Sequence, residues 1–348
     1  MAEYLTERFI GDLEILAPLL IPDADVKTTT RELQWKCRET PHGPGAVWVI
    51  RFGDEVAAMA TMYRRNLLLG HDEVPGALHA DLVVSPNHRR KGLATRILSE
   101  TFVEAAKAGY AIAFGFPNTV SLPAQRAAGG WTELGTIHEW STAPSRVFAL
   151  PRRVAVRLPG ALGRGAAHAL ERLAMLRGPA PLRAHDFDVT EEWPTSAEYD
   201  AFWGSIRAAG AFMAVRDHAW LDWRFRRKPN YRCTLLFARR DGALHGFLAL
   251  NHRRTAAGLV TTLLVDALAL EPAAYAALFD LAVVHARLAR AVQLFFPRVG
   301  PVGPSSPFDV APRDTNQVVF VRALRPDLVG GRMPAPDRWS FTFADSDV

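Results

Sequence analysis

The chain has 348 residues, of which 49% are hydrophobic and 22% charged, with 25 glycines and 24 prolines. This composition excludes a largely disordered or low-complexity chain, and the length fits two domains or one large one, able to bury a core without disulfides or structural metals. A net charge of +5 is too small to argue for nucleic acid, and two distant cysteines, Cys37 and Cys233, make neither a disulfide framework nor a metal knuckle, so a reducing compartment is expected.

In chain order, the first residues carry acids early and lack a basic-then-apolar signal pattern. No stretch approaches the roughly 18 uninterrupted apolar residues of a membrane span, so the chain reads as soluble and cytoplasmic. Leu33, Trp35, Lys36 and Pro41 precede an apolar run at Val47–Ile50, a turn at Gly53 and Asp54, and a second run from Val56, which together predict a hairpin. A strand over Leu78–Val84 leads through Pro86 and a basic turn into a helix. Leu93, Ile97, Leu98, Phe102 and Ala105 form its apolar stripe, and it ends near Gly109. An aromatic strand then closes on Pro117.

Val154–Arg183 opens and closes with Gly and Pro breakers, and Ala161–Leu176 within it has helical spacing and a basic face. It reads as a linker helix packed on a domain, with a docking surface for an acidic partner or a membrane face as the alternative.

Beyond it the first series recurs. Leu221, Trp223, Arg224 and Pro229 repeat Leu33, Trp35, Lys36 and Pro41 at a constant offset of 188 positions. The apolar run Leu235–Ala238, the turn at Asp241 and Gly242, and a run from Leu244 follow. A strand from Val260 through Ala267, Pro272, a helix over Ala273–Ala291 and an aromatic strand ending at Pro297 complete the copy. Pro86 and Pro117 are 31 positions apart, Pro272 and Pro297 only 25. The second copy lacks the basic glycine turn. The closing Trp339–Val348 ends acidic and reads as a solvated tail, with binding of a cationic acceptor as the alternative. Five histidines (His138, His218, His245, His252 and His285) are scattered without ligand spacing, so no metal is expected.

The chemistry concentrates in Leu82–Thr95. A β-branched strand, a turn carrying Arg89, Arg90 and Lys91, and a helix opening at Gly92 and Ala94 make an anion cradle. Unpaired helix amides and the dipole face the ligand, and small residues allow close approach. Neither a Walker loop nor a three-glycine dinucleotide fingerprint fits. Asp81 and His79 lie two apart on the strand, which predicts that both point to one face.

Val84-x-Pro86-x-x-Arg89-x-x-Gly92-x-Ala94 resembles the acyl-CoA signature of the GNAT (Gcn5-related N-acetyltransferase) superfamily, and Gly115 to Asn118, Ser121 and Gly130-Trp131 resemble its later elements. The repeat is similar to tandem GNAT proteins. The resemblance implies an α/β (α+β) fold of two GNAT-like units, each a mixed, mainly antiparallel twisted sheet flanked by helices. The expected units are 1–150 with the acyl-CoA loop, a basic helical linker over 151–185, and a degenerate unit over 186–348.

The resemblance further implies that Leu82, Val83 and Val84 pair with the pantetheine arm. Arg89, Arg90, Lys91, Gly92, Leu93, Ala94 and Thr95 would bind the pyrophosphate, and Asn118 would contact the cofactor. The Tyr that many members carry after this Asn as general acid is absent, since Pro123, Ala124 and Gln125 stand there; Ser121 is the candidate replacement. An alkylamine is almost wholly protonated at pH 7, so transfer to it calls for a base. Asp81 is the first candidate and His79 the second.

These readings converge on acyl transfer from acetyl-CoA or another acyl-CoA to an amine of a small molecule, amino sugar or peptide, without a metal. The alternatives are transfer from an acyl carrier protein, which the basic linker would suit, and a non-catalytic acyl-CoA sensor or scaffold, which the missing Tyr would suit. A peptidyltransferase using aminoacyl-tRNA is disfavoured by the intact Arg89–Ala94 loop. Neither nucleic acid nor a membrane span is expected.

Overall fold

The computed structural model describes residues 3–142, 165, 185–256, 258–300, 313–331 and 333–346. The first copy runs β1 (Tyr4–Arg8), α1 (Ala17–Leu20), α2 (Val26–Arg38), β2 (Ala46–Phe52), β3 (Glu55–Arg64), a small hairpin β4 (Leu67–Gly70) and β5 (Asp72–Val74), then β6 (Gly76–Val84), α3 (Leu93–Lys107), β7 (Ile112–Gly115), α4 (Leu122–Ala128) and β8 (Thr132–Thr142). The second runs β9 (Asp188–Thr190), α5 (Ser196–Ala209), β10 (Ala211–Ala214), α6 (His218–Leu221), β11 (Thr234–Arg240), β12 (Ala243–Arg254), β13 (Val260–Ala269), α7 (Pro272–Leu288), β14 (Gln293–Val299), β15 (Arg313–Ala323) and β16 (Trp339–Thr342). The expected linker helix lies outside the described residues apart from Gly165.

The local signals explain the elements. Asp25 caps α2 by accepting from the Thr28 amide, and Thr195 caps α5 by accepting from Glu198. Asp241 and Gly242 both take left-handed backbone (φ 53° and 77°), as a two-residue hairpin turn requires. The apolar stripe of α3 (Leu93, Ile97, Leu98, Phe102 and Ala105) is buried against β2, β3 and β6.

The sheet runs β1-β2-β3-β6-β7-β15-β8-β14-β13-β12-β11-β9. This order is a palindrome of the two copies, and its centre is exchanged. β15 of the second copy pairs with β7 of the first, β8 of the first pairs with β14 of the second, and the two travelling strands pair with each other. The two sheets are therefore fused into one. A pseudo-two-fold axis passes between Trp35 and Trp223, whose rings stack at 4.2 Å and 9°. Each indole N–H donates to the other's backbone carbonyl, at 3.1 and 3.2 Å. The Arg227 guanidinium donates to the Glu39 carbonyl across the same axis. The 188-residue offset read from the sequence is thus a contact, in which equivalent residues of the two copies touch.

The closing segment corrects the expectation of a solvated tail. Trp339, Phe341 and Asp345 are buried. β16 pairs in parallel with β10, which itself pairs with β4, so a second small sheet joins the copies. The Asp345 carboxylate accepts from Arg65 of the first copy (3.0 Å) and Arg216 of the second (2.6 Å), and Arg216 also donates to Asp266 (2.7 Å). The cations this acidic segment holds are the chain's own.

Both cysteines are free, and Cys37 is buried. Burial pushes the Cys37 thiol far above its ordinary value and the Cys233 thiol up to about 11. A thiolate is the reactive form. At pH 8 the folded protein should therefore titrate with no fast-reacting thiol, and with two after denaturation; a fast equivalent from the native state would contradict this burial.

Candidate functional site

The second half of β6 and the chain after β7 diverge. The two strands pair in parallel only from Gly76 and Ile112 to His79 and Gly115. Beyond that rung a cleft of about 960 Å³ opens, lined by Ala80–Val84 on one side and Phe116, Pro117 and Asn118 on the other. Strand edges that diverge leave backbone N–H and C=O groups available to an extended ligand.

The cleft leads to the start of α3. Gly92 is the N-cap residue in left-handed backbone (φ 75°), and Arg90 before it is also left-handed (φ 61°). A Cβ added at Gly92 would meet nothing within 4 Å, so this spot is open. The first-turn amides of Leu93, Ala94 and Thr95 are available to an anion at this end, and Arg89 and Arg90 line the cleft with them. Lys91 does not line it: its ammonium donates to the Tyr4 hydroxyl at 3.0 Å. The structure thus brings every other sequence-derived candidate, including Leu82, Val83, Val84, Asn118, Ser121, His79 and Asp81, into one cleft.

Asp81 and His79 do not share a face. Pairing of β6 with β3 skips a residue between Ala80 and Val83, and at this bulge Asp81 takes φ 47°. The extra residue breaks the alternation on which the expectation rested. His79 faces α3 and α4, where its Nδ1 accepts from the Gln125 amide (3.1 Å) and its ring meets Phe102 at 5.6 Å. Asp81 turns to α2 and accepts from the Lys36 ammonium (3.4 Å) and the Thr61 hydroxyl (3.0 Å). Its side chain is 6% exposed. Ser121 heads α4 without capping it; instead the Asn118 carboxamide oxygen accepts from the Val120 and Ser121 amides.

Two residues escaped sequence reasoning. Gln125 stood there only as a missing Tyr, yet it is 3% exposed and fixes the His79 ring. Gln317 comes from the exchanged strand β15 and lines the same cleft. No local signal marks either, because each is defined by a partner far off in sequence.

The equivalent place in the second copy is full. β13 and β14 pair only from Thr261 and Gln293 to Leu263 and Phe295. Beyond them, the β14 edge that faced β13 is taken by β16, with Arg298 opposite Thr342 and Val299 opposite Phe341. The Thr342 hydroxyl donates to Asp266 of β13 at 2.9 Å, so β16 spans the whole gap. α7 begins without a left-handed glycine. Its N-cap residue is Glu271, whose carboxylate holds Arg240 and His245 and would repel an anion.

Among the described residues no cluster of His, Cys, Asp or Glu could hold a metal ion, and no helix is long and apolar enough to cross a membrane.

Residues 24–133 match the family model of the acetyltransferase (GNAT) domain. No curated protein sequence matches the chain. Among solved structures it is similar to a probable N-acyltransferase of unknown function from Enterococcus faecalis (13% identity, TM-score 0.65, covering 95% of this chain and 75% of that one). It is also similar to a GCN5-related N-acetyltransferase from Anabaena variabilis (13%, 0.64, 93% and 73%). A third is the tandem GNAT protein of the clavulanic acid biosynthesis pathway (13%, 0.52, 93% and 99%). The chain has the tandem GNAT fold, and its first copy carries the matched GNAT domain.

Proposed function

We propose that the chain is an acyl-CoA-dependent N-acyltransferase with one catalytic site, in the cleft of the first copy. The observation that carries this reading is the contrast between the two gaps: open and ending at a glycine-capped helix start in the first, filled by β16 and ending at Glu271 in the second. The pantetheine arm lies along the open β6 edge at Leu82–Val84. The pyrophosphate meets the amides from Gly92 to Thr95 with Arg89 and Arg90 beside them. The thioester then sits near the bulge at Asp81.

The chemistry is direct transfer. The amine nitrogen attacks the thioester carbonyl carbon, Asp81 takes the proton that nitrogen must lose, the C–S bond breaks, and the thiolate of CoA leaves and is protonated by water. A base placed this way contributes about 10²–10⁴-fold. The ion pair with Lys36 and the bond from Thr61 hold the carboxylate in place at the bulge. Gln125 fixes the ring of His79, the second candidate, on the opposite face.

Calorimetric titration with CoA tests the donor site. One site per chain is expected. Gly92→Asp should weaken CoA by about tenfold or more, because a carboxylate at the helix start repels the diphosphate, while the strain of an Asp in left-handed backbone falls on stability rather than on binding. The fold should survive, since the new Cβ meets no atom within 4 Å. Two sites per chain, or undiminished binding by the variant, would sink this assignment. Release of free thiol from acetyl-CoA on adding an amine then separates an enzyme from a sensor.

A further inference from the structure

The exchanged strand β15 brings a residue of the second copy, Gln317, into the lining of the first copy's cleft. His79, Gly115 and Phe320 lie on one rung of β6, β7 and β15. Beyond that rung β6 and the chain after β7 diverge, and Gln317, three residues along β15 from Phe320, lines the cleft together with Asp81 and Asn118. The backbone of β15 is irregular just before Gln317 enters the cleft lining. Between Asp314 and Val318, four steps on β15 are matched by two on β8, an irregularity that places two extra residues on β15. The Thr315 hydroxyl pins it, donating to the Ile137 carbonyl (2.8 Å) and accepting from the Gln317 amide N–H (3.3 Å). Bulges of this kind re-aim a side chain beside a site.

Several other polar side chains of this region are engaged, although the buried carboxamide oxygen of Gln125 has no hydrogen-bond partner among the described residues. Asp81 is held by Lys36 and Thr61, His79 by Gln125, and the Asn118 carboxamide oxygen by two backbone amides. The half-buried Gln317 carboxamide lines the cleft and makes no side-chain hydrogen bond among the described residues. The lining of the same cleft also includes the apolar side chains of Leu78, Phe116 and Val120. A carboxamide both donates and accepts, and it carries no net charge. It matches an uncharged oxygen on a ligand.

We infer that Gln317 reads the acyl group of the donor, favouring an acyl chain that carries a hydroxyl or carbonyl oxygen beyond the thioester over a plain alkyl chain of the same length. The inference rests on the donor site proposed above. On it the second copy, which has no open gap of its own, sets the acyl selectivity of the first.

The test is calorimetric, with CoA, butyryl-CoA and 3-hydroxybutyryl-CoA as probes on the full chain, and with Gln317→Leu, which keeps size, and Gln317→Glu, which keeps shape but loses the donor. A single neutral hydrogen bond predicts about fivefold tighter binding of 3-hydroxybutyryl-CoA than of butyryl-CoA by the natural protein. Gln317→Leu should erase that preference, with the change confined to acyl-bearing probes. Gln317→Glu should retain part of it if folded, because the carboxylate still accepts from the hydroxyl. An equal affinity for the two acyl probes, a preference that survives Gln317→Leu, or an equal loss of CoA itself overturns the inference and leaves the donor site standing. No binding of CoA by the natural protein overturns the donor site, and this inference with it.

Discussion

Asp81→Asn should slow acyl transfer to an alkylamine by about 10²–10⁴-fold at pH 7 while CoA binds as before. The substitution keeps the size of the side chain and an oxygen for the Thr61 hydroxyl, and it removes the group that accepts a proton. The pH profile separates this from a structural role. Without a base, reaction depends on amine that is already neutral, a fraction that grows tenfold per pH unit up to a pKa near 10. The variant's rate should therefore climb with slope one as pH rises, and the gap to the natural protein should narrow. If Asp81 served only to anchor Lys36, the variant would instead lose thermal stability and CoA affinity together, and alkaline pH would restore nothing. A variant with a flat pH profile and a normal rate would remove Asp81 from the mechanism.

That experiment depends on a feature the sequence could not show. Asp81 and His79 are two apart on a strand, and simple alternation puts them side by side. One extra residue at the bulge parts them, so that α2 holds one and α4 the other. A bulge has no strong local signature here, because Asp81 rather than glycine takes the left-handed backbone. The anion cradle was legible for the opposite reason. Strand, basic turn, left-handed glycine and helix start are contiguous, and each is set by its own residues. The repeat was legible because tryptophan is rare and both copies keep it, and the structure shows why they do: Trp35 and Trp223 stack on one another across the pseudo-two-fold axis.

The strand exchange was not legible. β8 and β15 are sheet strands in either arrangement, and nothing within a strand says which sheet will receive it. Their partners are chosen by contacts far away in sequence. The same holds for Gln317, which takes its meaning from a cleft in the other copy, and for Asp345, whose partners Arg65 and Arg216 lie 280 and 129 positions away.

Asp345→Ala should cost about 3–5 kcal/mol of stability, the range for breaking a buried ion pair from one side. Arg65, Arg216 and Arg224 are almost fully buried where the copies meet, beside the buried carboxylates Asp266 and Asp345. Burial pushes Arg65 down to about 10, against the pull of Asp345, while Arg216, although buried, is held above its ordinary value by Asp266 and Asp345 together. Removing Asp345 leaves Arg65 without its carboxylate and Arg216 with Asp266 alone. It also removes the acceptor of the Thr342 amide, which helps hold β16 in the gap of the second copy. Asp345→Asn keeps that acceptor and should cost less. Denaturant unfolding followed by tryptophan fluorescence should show one transition for both copies, shifted as a whole in Asp345→Ala, because β7 and β14 each rely on a strand from the other copy. Two separated transitions would mean that the fused sheet does not couple the copies. A loss under 1 kcal/mol would mean that the buried charges find other partners or water.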